Sequence, residues 1–87
     1  MNVEQRELAR HALGLPNDRR RSYRNRYYVA PGAPAWWSWR ALVDAGLALF
    51  EAGPACRGSD LFMLTRTGAE AALAPSESLD LEDFPVD

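Results

Sequence analysis

Proline and glycine divide this chain into short intervals, and that spacing constrains the fold more than any other feature. Gly14 and Pro16, the run Pro31-Gly32-Ala33-Pro34, Gly46, Gly53-Pro54 and Pro75 each halt regular structure. What lies between them has room for brief helices and strands only. At 87 residues the chain makes one small domain, which buries roughly 60 to 65% of its unfolded surface.

Each interval has its own periodicity. Asn2 with Gln5 forms a capping-box pattern, and Leu8, Ala12 and Leu15, widened by Ala9 and Leu13, form an apolar stripe. A helix is therefore expected from Val3 to Leu13, closed by Gly14 and Pro16, with Arg10 and His11 suited to its last turn. Residues 22–30 alternate like a strand, placing Tyr23, Asn25, Tyr27 and Val29 on one side and Arg24, Arg26 and Tyr28 on the other. Pro34 suits the first turn of a second helix that Gly46 closes. Its Trp36, Trp39, Leu42 and Val43 share a face, and Trp37 falls on the opposite side with Arg40, Ala41 and Asp44.

Two apolar runs, 47–50 and 61–64, flank a glycine- and proline-rich stretch and predict a hairpin with a long loop holding Cys56 and Arg57. Thr67 to Glu70 matches a second capping box, opening a short helix to about Ala74. The expected fold is α+β in the order αβαββα, three helices with a three-stranded antiparallel sheet. Leu8, Leu13, Trp36, Trp39, Val43, Leu49, Leu61 and Leu73 form much of its core. The domain is expected over residues 1–75, with an acidic tail from 76 to 87.

Charge is sorted along the chain. Residues 1–26 hold seven arginines against Glu4, Glu7 and Asp18, and the stretch after Arg66 holds six acids and no base, within a net charge of −2. Lysine and isoleucine are absent while alanine is abundant, a bias that follows GC-rich codons and points to a GC-rich bacterium or its phage. The single cysteine forms no internal disulfide, and no apolar run has the length of a membrane span or of a signal-peptide core. A cytoplasmic protein without a membrane partner is expected.

Catalysis has little to work with. One histidine and one cysteine, without a phosphate-binding glycine loop or a metal-ligand spacing, give no set of convergent reactive groups. No enzyme, cofactor or metal is expected.

The sequence Arg19 to Tyr28 concentrates five arginines and three tyrosines in ten residues. Three readings of Arg19, Arg20, Arg21, Arg24 and Arg26 stand side by side: contact with nucleic-acid phosphates beside stacking tyrosines; a solvated loop leading into a strand; or bidentate pairing with carboxylates of a partner or of the chain's own tail. Trp37 with Arg40 is a protein-interface candidate if nothing covers it, because Trp and Arg are frequent interface anchors. In the tail, Asp80, Glu82 and Asp83 supply carboxylates dense enough to imitate nucleic-acid phosphates, or a solvated end.

Residues 42–73 resemble the closing half of bacterial winged-helix domains. There a Leu-x-x-x-Gly-Leu helix end leads through a hairpin wing to a Leu-Thr-x-x-Gly turn and a helix; Leu42, Gly46 and Leu47 match the first part, and Leu64, Thr65 and Gly68 the second. Upstream of Pro34 the chain departs from that pattern, reading helix and then strand where the family has two helices. Nearly the whole chain, through ELARHALGLPN, RRSYRNRYY, LFMLTRTGAEAAL and DLEDFP, also resembles small prophage-encoded proteins of GC-rich Proteobacteria. That resemblance implies an accessory phage function. The expected function is a nonenzymatic, protein-binding inhibitor of a host complex of the anti-CRISPR type, acting on a CRISPR effector; a winged-helix-like DNA-binding phage regulator, with Arg57 in its wing, is the alternative.

Overall fold

Three helices and three strands follow one another as α1 (Val3–Leu13), β1 (Tyr27–Val29), α2 (Pro34–Asp44), β2 (Ala48–Glu51), β3 (Asp60–Leu64) and α3 (Arg66–Ala72). The computed structural model describes residues 1–53 and 58–85, so Cys56 and Arg57 lie outside the described residues. The sheet is antiparallel with order β1-β3-β2. Tyr27 stands opposite Phe62, and Phe62 opposite Phe50.

Local chemistry sets the helix ends. Asn2 Oδ1 accepts from Gln5 N at 2.7 Å, and Gln5 Oε1 accepts from Asn2 N at 3.0 Å, closing the expected capping box. Gly14, at φ +80°, sends its N–H to His11 O, and Leu15 N donates to Arg10 O. Gly46 and Leu47 repeat this pattern on α2, donating to Val43 O and Leu42 O. Both helices thus end in a Gly-Leu Schellman motif, whose left-handed residue glycine adopts without steric cost.

Packing concentrates on one side of the sheet. Trp39 and Phe62 are fully buried and stacked, with centroids 5.6 Å apart and planes at 18°. Tyr27 lies 5.4 Å from Trp39, and Phe50 lies 5.3 Å from Phe62. Ala9, Ala12 and Leu13 of α1, Leu42 of α2, and Ala69 and Ala72 of α3 complete the buried centre. Leu8, Trp36, Val43 and Leu73 pack around it, half-buried.

Four expectations are corrected. The first strand begins at Tyr27 rather than near Ser22, because the main chain before it is occupied elsewhere, as described below. Tyr23, expected to share a side with Tyr27 and Val29, is 60% exposed whereas those two pack against the core. Leu49 is exposed and Leu61 only half-buried: Leu49 pairs with Met63, and Leu61 with Tyr28, on the sheet face away from the helices. The third helix is capped by Thr65, not Thr67; Thr65 Oγ1 accepts from Gly68 N at 3.1 Å, and the helix stops at Ala72. The earlier cap follows from a close approach, since Thr65 N donates to Leu47 O and Thr65 Oγ1 to Gly46 O, joining α3's start to α2's end.

Candidate binding surfaces

The arginine-rich segment is built as a cover for the end of α1. A helix leaves its last carbonyls without partners. Here Tyr23 N donates to Leu13 O, Arg26 N to Ala12 O, and the Arg24 guanidinium reaches His11 O through Nη2 at 2.8 Å and Nε at 3.3 Å. Asn17 Nδ2 donates to both Gly14 O and Arg21 O, fixing the preceding turn. Arg20, at φ +54°, is held there by main-chain bonds to Asn17 and Ser78.

Tyr23 and Arg26 give their N–H groups to α1, and the regular β1–β3 pairing stops at Tyr27, short of Asn25. The Asn25 side chain takes over, donating from Nδ2 to Leu64 O at 3.0 Å and accepting from Leu64 N at 2.8 Å. One amide thus extends the β1–β3 ladder by a residue while the main chain turns away.

Residues 76–85 return across the same region. Ser78 N donates to Arg20 O and Ser22 N to Ser78 O, a short parallel bridge, and buried Ser22 Oγ accepts from Asp80 N at 2.8 Å. Glu77 receives both guanidinium nitrogens of Arg10, at 2.5 and 2.8 Å, and the N–H of Ala74. Those bonds hold its carboxyl down to about pKa 2, Arg10's hydrogen bond being the largest cause, while Glu77 raises the Arg10 value in return. Farther on, Phe84 is buried at 5% exposure, and Arg66 Nη2 donates to the carbonyls of Phe84 and Pro85.

The tail therefore docks through main chain, Glu77 and Phe84. Among the described residues its other acids form no ion pair with the arginine segment, although Asp80 lies in one hollow wall with Arg19 and Arg21. Among the described residues the arginines paired with carboxylates are Arg10, Arg40 and Arg66, and Arg19, Arg20, Arg21, Arg24 and Arg26 pair with none. Asp80 is used structurally: its Oδ1 accepts from Glu82 N and its carbonyl from Phe84 N, closing a turn. Glu82 and Asp83 are exposed.

Two hollows open along the arginines. One, of about 660 Å³, has Arg19, Arg21 and Tyr23 in its wall together with Asp18 and Asp80. The other, of about 310 Å³, is lined by His11, Arg24, Arg26, Tyr27 and Tyr28 and has no carboxylate in its lining. The Arg24 guanidinium lies 5.2 Å from the centre of the Tyr23 ring, joining the two hollows.

A different surface forms at the other end of α1. Trp37 is 63% exposed, and no element among the described residues covers it. Its ring meets Trp36 edge-on at 4.9 Å; Trp36 in turn contacts Phe50 and donates from Nε1 to Asp60 at 2.7 Å. Arg40 sits 5.9 Å from the Phe50 ring centre and 3.5 Å from Asp44. Ser38 Oγ donates to Glu4 at the start of α1, whereas Arg24 caps its last turn. The expected contact residues thus fall into two groups, Trp37 and Arg40 in one and the arginine segment in the other. Sequence reasoning did not place Phe50 beside Arg40, nor His11 and Tyr28 beside Arg26; His11 in the last turn of α1 and the strand alternation at Tyr28 were the available signals.

Among the described residues no helix is long and apolar enough to cross a membrane. No protein-family model, curated protein or solved structure matches the chain.

Proposed function

We propose that this chain is a nonenzymatic phage-type accessory protein that acts by binding a protein, in its most concrete form an anti-CRISPR-type inhibitor of a host CRISPR effector complex. The observation that carries the binding reading is the exposed Trp37 ring, backed by Trp36, whose other neighbour Phe50 lies beside Arg40. Trp37 stands in water on a helix that buries Trp39 and half-buries Trp36, and the exposed Phe50 nearby widens this into an apolar patch of the kind that partners cover. Aromatic and arginine side chains held rigidly together are the usual energetic centre of such contacts. The phage assignment rests on the sequence resemblance and the GC-rich codon bias.

Reading of duplex DNA by α2 has less support. The helix carries three tryptophans and one arginine, and Arg40 is turned toward Asp44 and Phe50.

The test is affinity purification of the tagged protein from a lysate of a GC-rich host with active CRISPR defence, with and without nuclease, using wild type, Trp37→Ala and Arg40→Ala. Recovery of one effector complex in near-equal amount, insensitive to nuclease and lost in the Trp37 variant, is the expected result. Unchanged recovery by both variants refutes the proposed surface, and loss of all partners on nuclease treatment refutes protein binding.

A further inference from the structure

The hollow between the end of α1 and β1 shares no lining residue with the Trp37 surface. We infer that it binds a single-stranded nucleic acid, with Arg26 and Arg24 on the phosphodiester backbone and Tyr28 as a stacking platform.

The chemistry of the lining favours an anionic, aromatic ligand. Arg26 is exposed and has no carboxylate partner among the described residues. Arg24 is oriented by two hydrogen bonds to His11 O and keeps further N–H groups for a ligand. Guanidinium forks match phosphate oxygens, and fixing one beforehand lowers the entropic cost of binding. Tyr28 is 51% exposed and projects from the strand immediately after the arginines.

A helix C-terminus is ordinarily a poor place for phosphate, because its free carbonyls carry partial negative charge. This one has been neutralised. His11, Ala12 and Leu13 carbonyls are each engaged by donors from the arginine segment, and Gly14 and Leu15 cap the rest. The arginines therefore set the local potential. The neighbouring hollow, which shares its arginines with Asp18 and Asp80, is less suited to an anion.

Stacking decides between strand states. In a duplex the base faces are hidden against one another, so an exposed tyrosine gains nothing from it, whereas an unpaired base offers a face. A net charge of −2 also weakens any long-range pull on duplex DNA. The lining reads no base edge, so DNA and RNA single strands share the chemistry, and the experiment separates them.

Fluorescence anisotropy at low salt tests the site, using labelled oligo(dT), oligo(U) and a duplex, each of about ten nucleotides or base pairs. Wild type, Arg26→Gln, Tyr28→Leu and Trp37→Ala are compared, with thermal melts confirming that each variant is folded. Wild type is expected to bind one or both single strands, with the duplex at least tenfold weaker. Arg26→Gln should reduce single-strand affinity about tenfold and lower the slope of log affinity against log salt by about 0.7, Tyr28→Leu should reduce it about fivefold or more, and Trp37→Ala should leave it unchanged. Absence of single-strand binding, equal or tighter duplex binding, or a folded Arg26→Gln with wild-type affinity each overturns the inference. Failure here leaves the Trp37 surface standing, because that surface is read by protein capture.

Discussion

The side chain of Asn25 pairs with the main chain of Leu64 in both directions, doing for the sheet what the Asn25 backbone does not do. The exchange frees residues 22–26 to cap α1 and so places the arginines where they are.

Asn25→Ala should therefore cost about 2 to 3 kcal/mol, since it strands both a half-buried N–H and a carbonyl. Asn25→Asp keeps the acceptor but loses the donor to Leu64 O, and is expected to fall between wild type and alanine above pH 5. Denaturant unfolding of the three proteins checks the order.

Glu77 gives the fold an acid sensitivity. Its folded-state pKa, about 2, is lowered from an ordinary value of 4.5. Lowering means that the stabilisation is fully present above the unfolded value and is lost as pH falls from there toward 2. Glu77→Gln should remove about 1 to 3 kcal/mol at pH 7, less than the full shift implies because glutamine keeps part of the hydrogen bonding to Arg10 and Ala74. The difference between the two proteins should shrink as pH drops from 5 to 2, which urea midpoints at several pH values would record.

The tryptophans of α2 should separate cleanly. Trp39→Ala removes the ring stacked on Phe62 and is expected to cost at least 3 to 5 kcal/mol, enough to unfold a domain of this size. Trp37→Ala should stay within about 0.5 kcal/mol of wild type in a thermal melt, since its ring is 63% exposed.

Two glycines predict different penalties for one added methyl. A Cβ at Gly68 would lie 1.9 Å from Leu47 O, so alanine there must push α3 off the end of α2. At Gly46, φ +78°, the space is open and only backbone strain opposes alanine. Gly46→Ala should cost about 1 to 2 kcal/mol, and Gly68→Ala more than that, about 3 kcal/mol. Comparative melting of the pair tests the close approach directly.

The boundaries of α1 and α2 were legible because they are local. Asn2, Gln5, Gly14, Pro34 and Gly46 act within a few residues of themselves, and α1 begins and ends where they direct. The order of elements and the burial of Trp39 follow from the same short-range patterns. Tyr23 and Leu49 were misplaced because alternation fixes two faces of a strand without saying which is covered. Strand one appeared too long for a subtler reason: residues 22–26 have a strand's pattern, but Tyr23, Arg24 and Arg26 bond to α1 carbonyls 10 to 14 positions earlier in the chain, and Ser22 bonds to Ser78. Thr65 and Thr67 both offer a cap, and only the approach of Leu47 chooses between them. At the candidate sites the residue types were readable from sequence, and Trp37 fell on the polar face, whether covered or not being left to the fold. The division into two surfaces was not, because it depends on which end of α1 each segment meets.

The closing contacts of this domain are made by its latest residues. Glu77 meets Arg10 across 67 positions, Asp80 meets Ser22 across 58, and Phe84 enters a core whose other members precede it by 12 residues or more. A chain being synthesised can form α1 and the hairpin early, yet Arg10 and Ser22 wait for partners that do not yet exist. Folding of this domain is thus expected to wait for residues 77–84: ribosome-bound chains ending before Phe84 should remain open to proteases, and protection should arrive in a single late step.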